Sequence, residues 1–340
     1  MILVNNYALA LICCVYCCLC WGSWSNTLKM VQDKKWSFEL YYWDLAIGLF
    51  LTAVVGALTL GSMGSDGPSF IQNLSECDPG SFGWAVLGGV VWNFANIFLT
   101  AAIAIAGMSI GFPLGGGLGW IGGIIFNYLL ILLSGEVYPG NSALLWIGIV
   151  IVVAAIFICT KVYRMTSSGG GATPVKGIVL AVVAGIGLIF FYGLVVKSIS
   201  PEFVQGGTGT LTPYTAIVGF AVGILLSTPV FNTIAMRNPV EGRKVTMADY
   251  RAGSARTHLI GILGGVIWMS GMVVSFMGAG SANPAVAYAL SNAAPVVAML
   301  WGFFVWKEFK GASSRTMQLL AAMFILFVVG LVIITMSNSN

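Results

Sequence analysis

The sequence predicts an all-α integral membrane protein: ten transmembrane helices built as two inverted five-helix repeats, with the N- and C-termini on the outer face. Three observations carry that prediction. The 340 residues are 58% hydrophobic and only 8% charged, where a soluble domain carries about 25% charge. Apolar runs recur along the whole chain, each long enough to cross about 30 Å of hydrocarbon. Short patterns from the first half also return in the second, offset by close to half the chain length.

The ten spans are Tyr7–Leu28, Tyr41–Gly61, Phe82–Ala106, Ser109–Leu133, Ser142–Thr160, Gly177–Val196, Pro213–Met236, Thr257–Gly278, Ala282–Trp306 and Thr316–Met336. No remaining stretch is long enough for a soluble domain. No basic residue precedes the first span, and Lys29, Lys34 and Lys35 follow it, so it reads as a retained helix rather than a secretory leader. Of the 15 Lys and Arg, only Lys197 lies outside the loops after spans 1, 3, 5, 7 and 9. The positive-inside rule puts those loops in the cytoplasm. Asp66, Glu76, Asp78, Glu136 and Glu202 fall on the other side.

Span 1 holds five of the seven cysteines. Inside a lipid helix these read as small packing residues rather than a redox or metal motif. It ends in Cys20-Trp-Gly-Ser-Trp-Ser-Asn26, where Trp21 and Ser25 share a face: an interfacial belt, or a ring and a hydroxyl offered to a solute. Span 2 opens with Tyr41-Tyr-Trp-Asp44. Asp44 is the only acid inside these span limits, and an ionisable group there is a functional candidate or a structural ion-pair partner. Span 3 carries Trp92, Asn93, Asn96 and Thr100. Bare amides in lipid cost several kcal/mol, so this face looks inward, toward other helices or a solute.

The stretch Gly107–Gly123 belongs to span 4, with glycines at 107, 111, 115, 119 and 123 forming one stripe, and Pro113 interrupts the helix. Gly111, Pro113, Gly115 and Gly119 make either a close-packing face or the wall of a cavity. After span 5, Arg164–Pro174 is a flexible glycine-rich linker. The domain reading is therefore 1–163 as the first repeat, 164–175 as linker and 176–340 as the second repeat. After span 7 comes the most basic loop. There Thr246 and Asp249 have capping-box spacing, so Met247–Ala255 reads as a short surface helix. His258, the only histidine, begins span 8, which carries Trp268. Span 9 has Tyr288, Asn292 and Pro295 on one face.

The repeat is visible in residues. Gly88-Gly-Val-Val-Trp92 returns as Gly264-Gly-Val-Ile-Trp268, and Glu136 after span 4 has its counterpart in Glu308 after span 9. Five spans per half is odd, so the halves enter the membrane in opposite senses. Inverted repeats with glycine- and proline-broken helices are secondary-transporter architecture.

Ten helices as five plus five, with a glutamate after the fourth of each set, resemble the drug/metabolite transporter superfamily. Trp21-Gly-Ser-Trp24, Tyr42-Trp-Asp44, Leu58-Thr-Leu-Gly61, Phe70-Ile-Gln-Asn-Leu74, Pro213-Tyr-Thr-Ala216 and Trp301-Gly-Phe-Phe with Glu308 resemble ureide permeases and the related bacterial glucose/ribose and rhamnose uptake proteins. The resemblance implies cation-linked uptake of small, mostly neutral polar solutes. Plant-type ureide permeases carry a long charged loop between the halves, where this chain has only the glycine linker.

The expectation is a secondary transporter whose cavity is walled by spans 1, 3, 4, 6, 8 and 9. Trp21, Trp92 and Trp268 would stack on a ring or sugar face. Ser25, Asn93, Asn96, Tyr288 and Asn292 would read its polar groups, so alanine at Asn93 or Asn96 should abolish uptake without loss of folded protein. Asp44 and His258 are the coupling candidates, with H+ or Na+ as the ion. The expected partners are a small-molecule substrate and the lipid bilayer, with no nucleic acid, no metal site and no cofactor beyond that ion. The protein would be a monomer or homodimer in a membrane of the bacterial inner (cell) type. A multidrug exporter of organic cations needs a buried mid-span carboxylate, which is not seen. The sequence has no H-E-x-x-H, Walker A sequence or buried Asp pair, so an intramembrane enzyme is disfavoured.

Overall fold

In lipid, a backbone amide has no water to bond, so each crossing segment must close its hydrogen bonds internally. The computed structural model, which describes residues 1–32, 36–133, 137–138, 140–166, 174–204, 206–278, 281 and 293–337, shows that solution throughout. Among the described residues, nine helices are long and apolar enough to cross a membrane. The expected ninth span, Ala282–Trp306, begins outside the described residues, and its later part carries a shorter apolar helix over Ala294–Val305. Most of the linker expected at 164–175 also lies outside them.

In chain order the helices are α1 (Tyr7–Ser23), α2 (Ser25–Gln32), α3 (Phe38–Leu58), α4 (Phe70–Glu76), α5 (Pro79–Ala106), α6 (Met108–Leu133) and α7 (Ser142–Thr166). Then come α8 (Pro174–Ser198), α9 (Pro213–Arg237), α10 (Met247–Arg251), α11 (Ala255–Met277), α12 (Ala294–Leu300) with a π-helical turn at Trp301–Val305, and α13 (Ser314–Ser337). Spans 1 to 8 and 10 are thus α1 with α2, then α3, α5, α6, α7, α8, α9, α11 and α13.

Helix starts follow local chemistry. At α5, Asp78 caps by accepting from the Ser81 N–H at 2.8 Å, and Pro79 occupies the first turn, where its missing N–H costs nothing. α9 repeats the device with Thr212 and Pro213. The Thr210 hydroxyl donates to Asp78 at 2.7 Å, so the two starts are tied together. These bonds from Ser81 and Thr210 hold the Asp78 carboxyl down at about 2. The short surface helix is present as α10, with both halves of its capping box formed by Thr246 and Asp249.

The packing order repeats itself. α3 packs on α11 as α9 packs on α5, α8 on α5 as α1 on α11, and α8 on α6 as α1 on α12. The two closest crossings also correspond. A Cβ on Gly48 would strike the Ile262 carbonyl oxygen and reach the Gly265 Cα at 3.1 Å. A Cβ on Gly223 would strike the Val86 carbonyl oxygen and reach the Gly89 Cα at 3.1 Å. Backbone touches backbone at both, as small residues permit.

The glycine stripe of α6 is used in parts. Gly107 is not in the helix. It caps α5 at φ 84°, a conformation that glycine tolerates, and forms the corner between α5 and α6. Gly111 packs on Ala102 and Ile103, Gly115 on Leu99 and Ala181, and Gly119 on Leu188. Pro113 lies buried inside α6.

Candidate functional site

One cavity lies where both halves meet. Trp21 of α1 and Trp24 at the α1–α2 break line it, with Trp92, Asn96 and Leu99 of α5, and Phe112, Gly116, Gly119 and Trp120 of α6. Leu188, Phe191 and Tyr192 of α8, Trp268 of α11, and Ala294 and Pro295 at α12 complete the wall. These are spans 1, 3, 4, 6, 8 and 9. None of the described lining residues is charged. About 70 Å³ admits the centre of a water-sized sphere; at ~10–15 Å³ per water, that is room for about five waters.

The tryptophans form one aromatic wall. Trp21 stacks on Trp268 with centroids 5.3 Å apart and planes 16° apart. Trp92 meets Trp268 at 4.4 Å, and Phe220 backs Trp268 at 6.0 Å and 15°. Rings in this arrangement hold one another rigidly. The indole N–H groups of Trp21 and Trp120 are buried with no acceptor among the described residues. A buried donor without an acceptor costs about 1–3 kcal/mol, so two in one cavity wall are a chemical signature.

The asparagines separate. Asn96 lines the cavity, and its amide donates to the Tyr42 hydroxyl at 3.2 Å. Asn93 is not among the lining residues. Its Oδ1 accepts from Tyr42 at 2.8 Å, and its Nδ2 donates to Ser227 at 2.7 Å and Thr228 at 3.1 Å. It therefore ties α5 to α3 and α9. Ser25 is fully buried outside the cavity wall, its hydroxyl unpaired among the described residues. Its neighbours accept from the indoles beyond α12: Ser23 from Trp301 at 2.8 Å and Asn26 from Trp306 at 2.6 Å. Tyr288 and Asn292 lie outside the described residues.

Asp44 and His258 meet at the end of the bundle where the basic loops gather. Asp44 is fully buried and accepts from the Tyr250 hydroxyl at 2.6 Å. His258 Nδ1 lies 2.9 Å from one of its oxygens and 3.1 Å from the other. Trp36 packs edge-on against the imidazole at 5.3 Å. Burial first, and then the Asp44 carboxylate, pushes the Tyr250 phenol up, so it stays a donor. Two residues before Asp44, Tyr42 reaches Asn96 in the cavity wall. Tyr41 joins Thr27 at 2.7 Å, which donates to the carbonyl of cavity-lining Trp24.

A second carboxylate closes the same end. Glu308 follows the π-helical turn and accepts from the first two N–H groups of α6, Met108 at 2.8 Å and Ser109 at 2.9 Å. Lys29 approaches it to 3.3 Å. The negative group thus sits on the positive end of a helix dipole and spans the two halves.

The family comparison follows this geometry. A family model described as Ureide permease matches residues 41–170 and 170–337. The chain belongs to the ureide permease family. It is therefore a multi-pass membrane permease, not an enzyme. Ureide permease 1 and Ureide permease 2 of Arabidopsis thaliana are each 22% identical to it, with both chains covered in full. Ureide permease 5 of the same plant is 24% identical, covering 94% of this chain and 92% of its own. A solved crystal structure superposes with a TM-score of 0.58 at 17% identity, covering 96% of each chain, which speaks to the fold alone. These curated relatives are plant proteins, so they give the bacterial inner-membrane expectation no support.

Sequence reading passed over three site features. Trp120 sits inside the glycine run. Glu308 was visible as a repeat partner and in the family resemblance, but not as the group that holds the start of α6. Glu39 precedes the expected start of span 2, yet α3 begins at Phe38 and buries Glu39 to 1% exposure, so Asp44 is not the only acid in that helix.

Proposed function

We propose that this permease takes up a small, neutral, planar polar solute of ureide or nucleobase type, by alternating access and in symport with protons. The observation that carries this is the cavity wall. Three mutually packed tryptophans and the amide of Asn96 make the wall aromatic and uncharged, and the indole N–H groups of Trp21 and Trp120 are buried without an acceptor among the described residues. A planar ring bearing carbonyl oxygens suits such a wall and carries the acceptors those N–H groups lack, whereas a charged solute would find no described countercharge in the wall. The room for about five waters, roughly 150 Å³ of liquid, suits one ring system.

Residues 1–163 and 176–340 act as two inverted repeats around this cavity, the ninth span completing the second. The corresponding helix pairs and paired glycine crossings support that reading. The basic end faces the cytoplasm. Coupling is assigned to Asp44 and His258, an imidazole–carboxylate pair within hydrogen-bond reach; Asp44 shares a helix start with Tyr41 and Tyr42, which bond toward the cavity wall.

The test is a thermal-shift panel on purified protein, comparing allantoin, uracil and xanthine with glucose, ribose and rhamnose. A ligand at 100 times its Kd stabilises by about 2.7 kcal/mol. A shift with the heterocycles alone is expected. A shift with a sugar alone overturns the ureide reading in favour of a monosaccharide carrier.

A further inference from the structure

A second cavity lies apart from the tryptophan wall, between the π-helical turn, the start of α6 and the first turns of α13. Its volume is about 360 Å³, against about 70 Å³ for the central cavity. Met299, Phe309, Leu320 and Met323 line it and are buried, whereas Leu300, Phe304 and Met317 line it and are exposed. It is therefore a cleft with a buried floor that opens on the outer surface of the bundle. Ser109 is its one polar lining residue, and the Ser109 hydroxyl is already used, donating to the Met299 carbonyl at 3.4 Å. A water there lacks the two to four polar partners that hold one in place. Most of the lining comes from Ala294–Val305 and Ser314–Ser337, two apolar helices. In a bilayer the apolar neighbour of such a surface is a lipid tail. Three unbranched methionines, Met299, Met317 and Met323, adapt to an irregular chain.

The connection beside this cleft is basic. Lys307, Lys310 and Arg315 are exposed and form no ion pair among the described residues. Glu308, the one acid after residue 300, is engaged elsewhere, on the first N–H groups of α6 and near Lys29. Connectivity keeps the three charges at the cleft. Lys310 follows Phe309, and Arg315 stands two residues before Met317, at ~3.8 Å per Cα step. The Lys310 N–H donates to the Lys307 carbonyl at 3.0 Å, which folds Lys307 back beside Lys310.

We propose that the cleft binds an anionic phospholipid. One acyl chain lies among its phenylalanines and methionines, and the phosphate headgroup faces the turn of Lys307, Lys310 and Arg315, as basic surfaces beside membrane helices favour. An apolar chain with one negative end matches both halves of the site: a cleft without free polar groups, and cations without partners. The π-helical turn organises it. That turn and its cap send Trp301 and Trp306 to Ser23 and Asn26, while Phe303 and Phe304 line the cleft. Ser109 belongs both to the cleft wall and to the Glu308 contact, so the bound chain rests against the start of α6.

The test is native mass spectrometry of the full-length protein in detergent, titrated with dioleoyl phosphatidylglycerol or dioleoyl phosphatidylcholine. Wild type is expected to hold a single phosphatidylglycerol tightly and phosphatidylcholine more weakly. Lys310→Gln combined with Arg315→Gln should weaken phosphatidylglycerol about 30-fold, roughly fivefold per basic group, and leave phosphatidylcholine unchanged. Both positions are exposed, so this variant keeps the core intact. Ala321 lines the cleft and is itself exposed, so Ala321→Trp fills the cleft and should weaken both lipids. Equal affinity for the two lipids in wild type, or phosphatidylglycerol binding that survives both variants unchanged, overturns the proposal. Binding of sn-glycerol 3-phosphate as tight as that of the lipid would also overturn it, making the site one for a soluble phosphate. The readout is lipid binding, so the result stands apart from which solute the permease carries.

Discussion

Replacing Trp120 with phenylalanine separates a packing role from a reading role, because the two move different observables. Trp120 is 3% exposed and stacks on Phe327 at 6.3 Å and 24°, and its N–H has no acceptor among the described residues. Phenylalanine keeps a ring on Phe327 and removes the orphan donor, relieving about 1–3 kcal/mol. The missing pyrrole edge leaves roughly 40 Å³ empty, a cost of about 1 kcal/mol at ~24 cal/mol per Å³. The unliganded variant should therefore be at least as stable as wild type. Binding should weaken, because the substrate carbonyl loses a hydrogen bond of about 0.5–1.5 kcal/mol, or about 2- to 13-fold in Kd. Titration calorimetry with the best heterocycle from the thermal-shift panel measures Kd, and thermal unfolding in detergent measures stability. Trp21→Phe should behave alike. If both variants bind with wild-type affinity, the unpaired indoles do not recognise the solute and the argument from the cavity wall fails.

Asn93→Ala should lose about 2–4 kcal/mol of stability, since it strips α3 and α9 of their shared partner on α5. A fully stable Asn93→Ala that fails to transport would instead make Asn93 a solute ligand. Glu308→Ala should cost about 3–5 kcal/mol by orphaning two helix-start N–H groups, whereas Lys29→Met should cost about 0–1 kcal/mol as a partly exposed pair; thermal unfolding of both variants checks the ratio. The Asp78 and Asp249 carboxyls are both held at about 2, below their ordinary 3.8. For Asp78 the causes are Ser81 and Thr210, and for Asp249 they are Thr246 and Arg243. Their caps therefore contribute fully above that ordinary value and are lost as pH falls through about 2. The protection factors of the Ser81 and Thr246 amides, corrected for the intrinsic pH dependence of exchange, should be unchanged from pH 7 to pH 4; loss of protection by pH 4 would contradict this.

Hydropathy made the spans legible because each run must by itself match the hydrocarbon thickness. The repeated Gly-Gly-Val-x-Trp pattern was legible too, and it falls on two working positions: Gly89 and Gly265 make the backbone crossings, and Trp92 and Trp268 line the cavity. What depended on rotation around a helix was not legible. Asn93 and Asn96 are three residues apart, which leaves them ~60° apart around the axis, enough to send one toward α9 and the other toward the cavity. Glu39 was missed because the helix starts before the apolar run does, at polar residues that tertiary packing buries. Glu308 on the start of α6 is a contact between residues some 200 apart in sequence, which no local pattern encodes.

The glycine crossings also have a mechanical meaning. A contact of main chain on main chain cannot be relieved by changing rotamers, so each crossing acts as a fulcrum for the helices that share it. Gly48 lies at the middle of the 21-residue α3, leaving lever arms of about 15 Å on either side at ~1.5 Å per residue. A swing of about 10° would carry the helix ends some ~2.6 Å while the crossing itself hardly moves. That is enough to part the hydrogen bonds at one end of the bundle and too little to unstack tryptophans near the pivot. Two such fulcrums would suit the alternating access proposed above, letting the ends move while the aromatic wall stays whole.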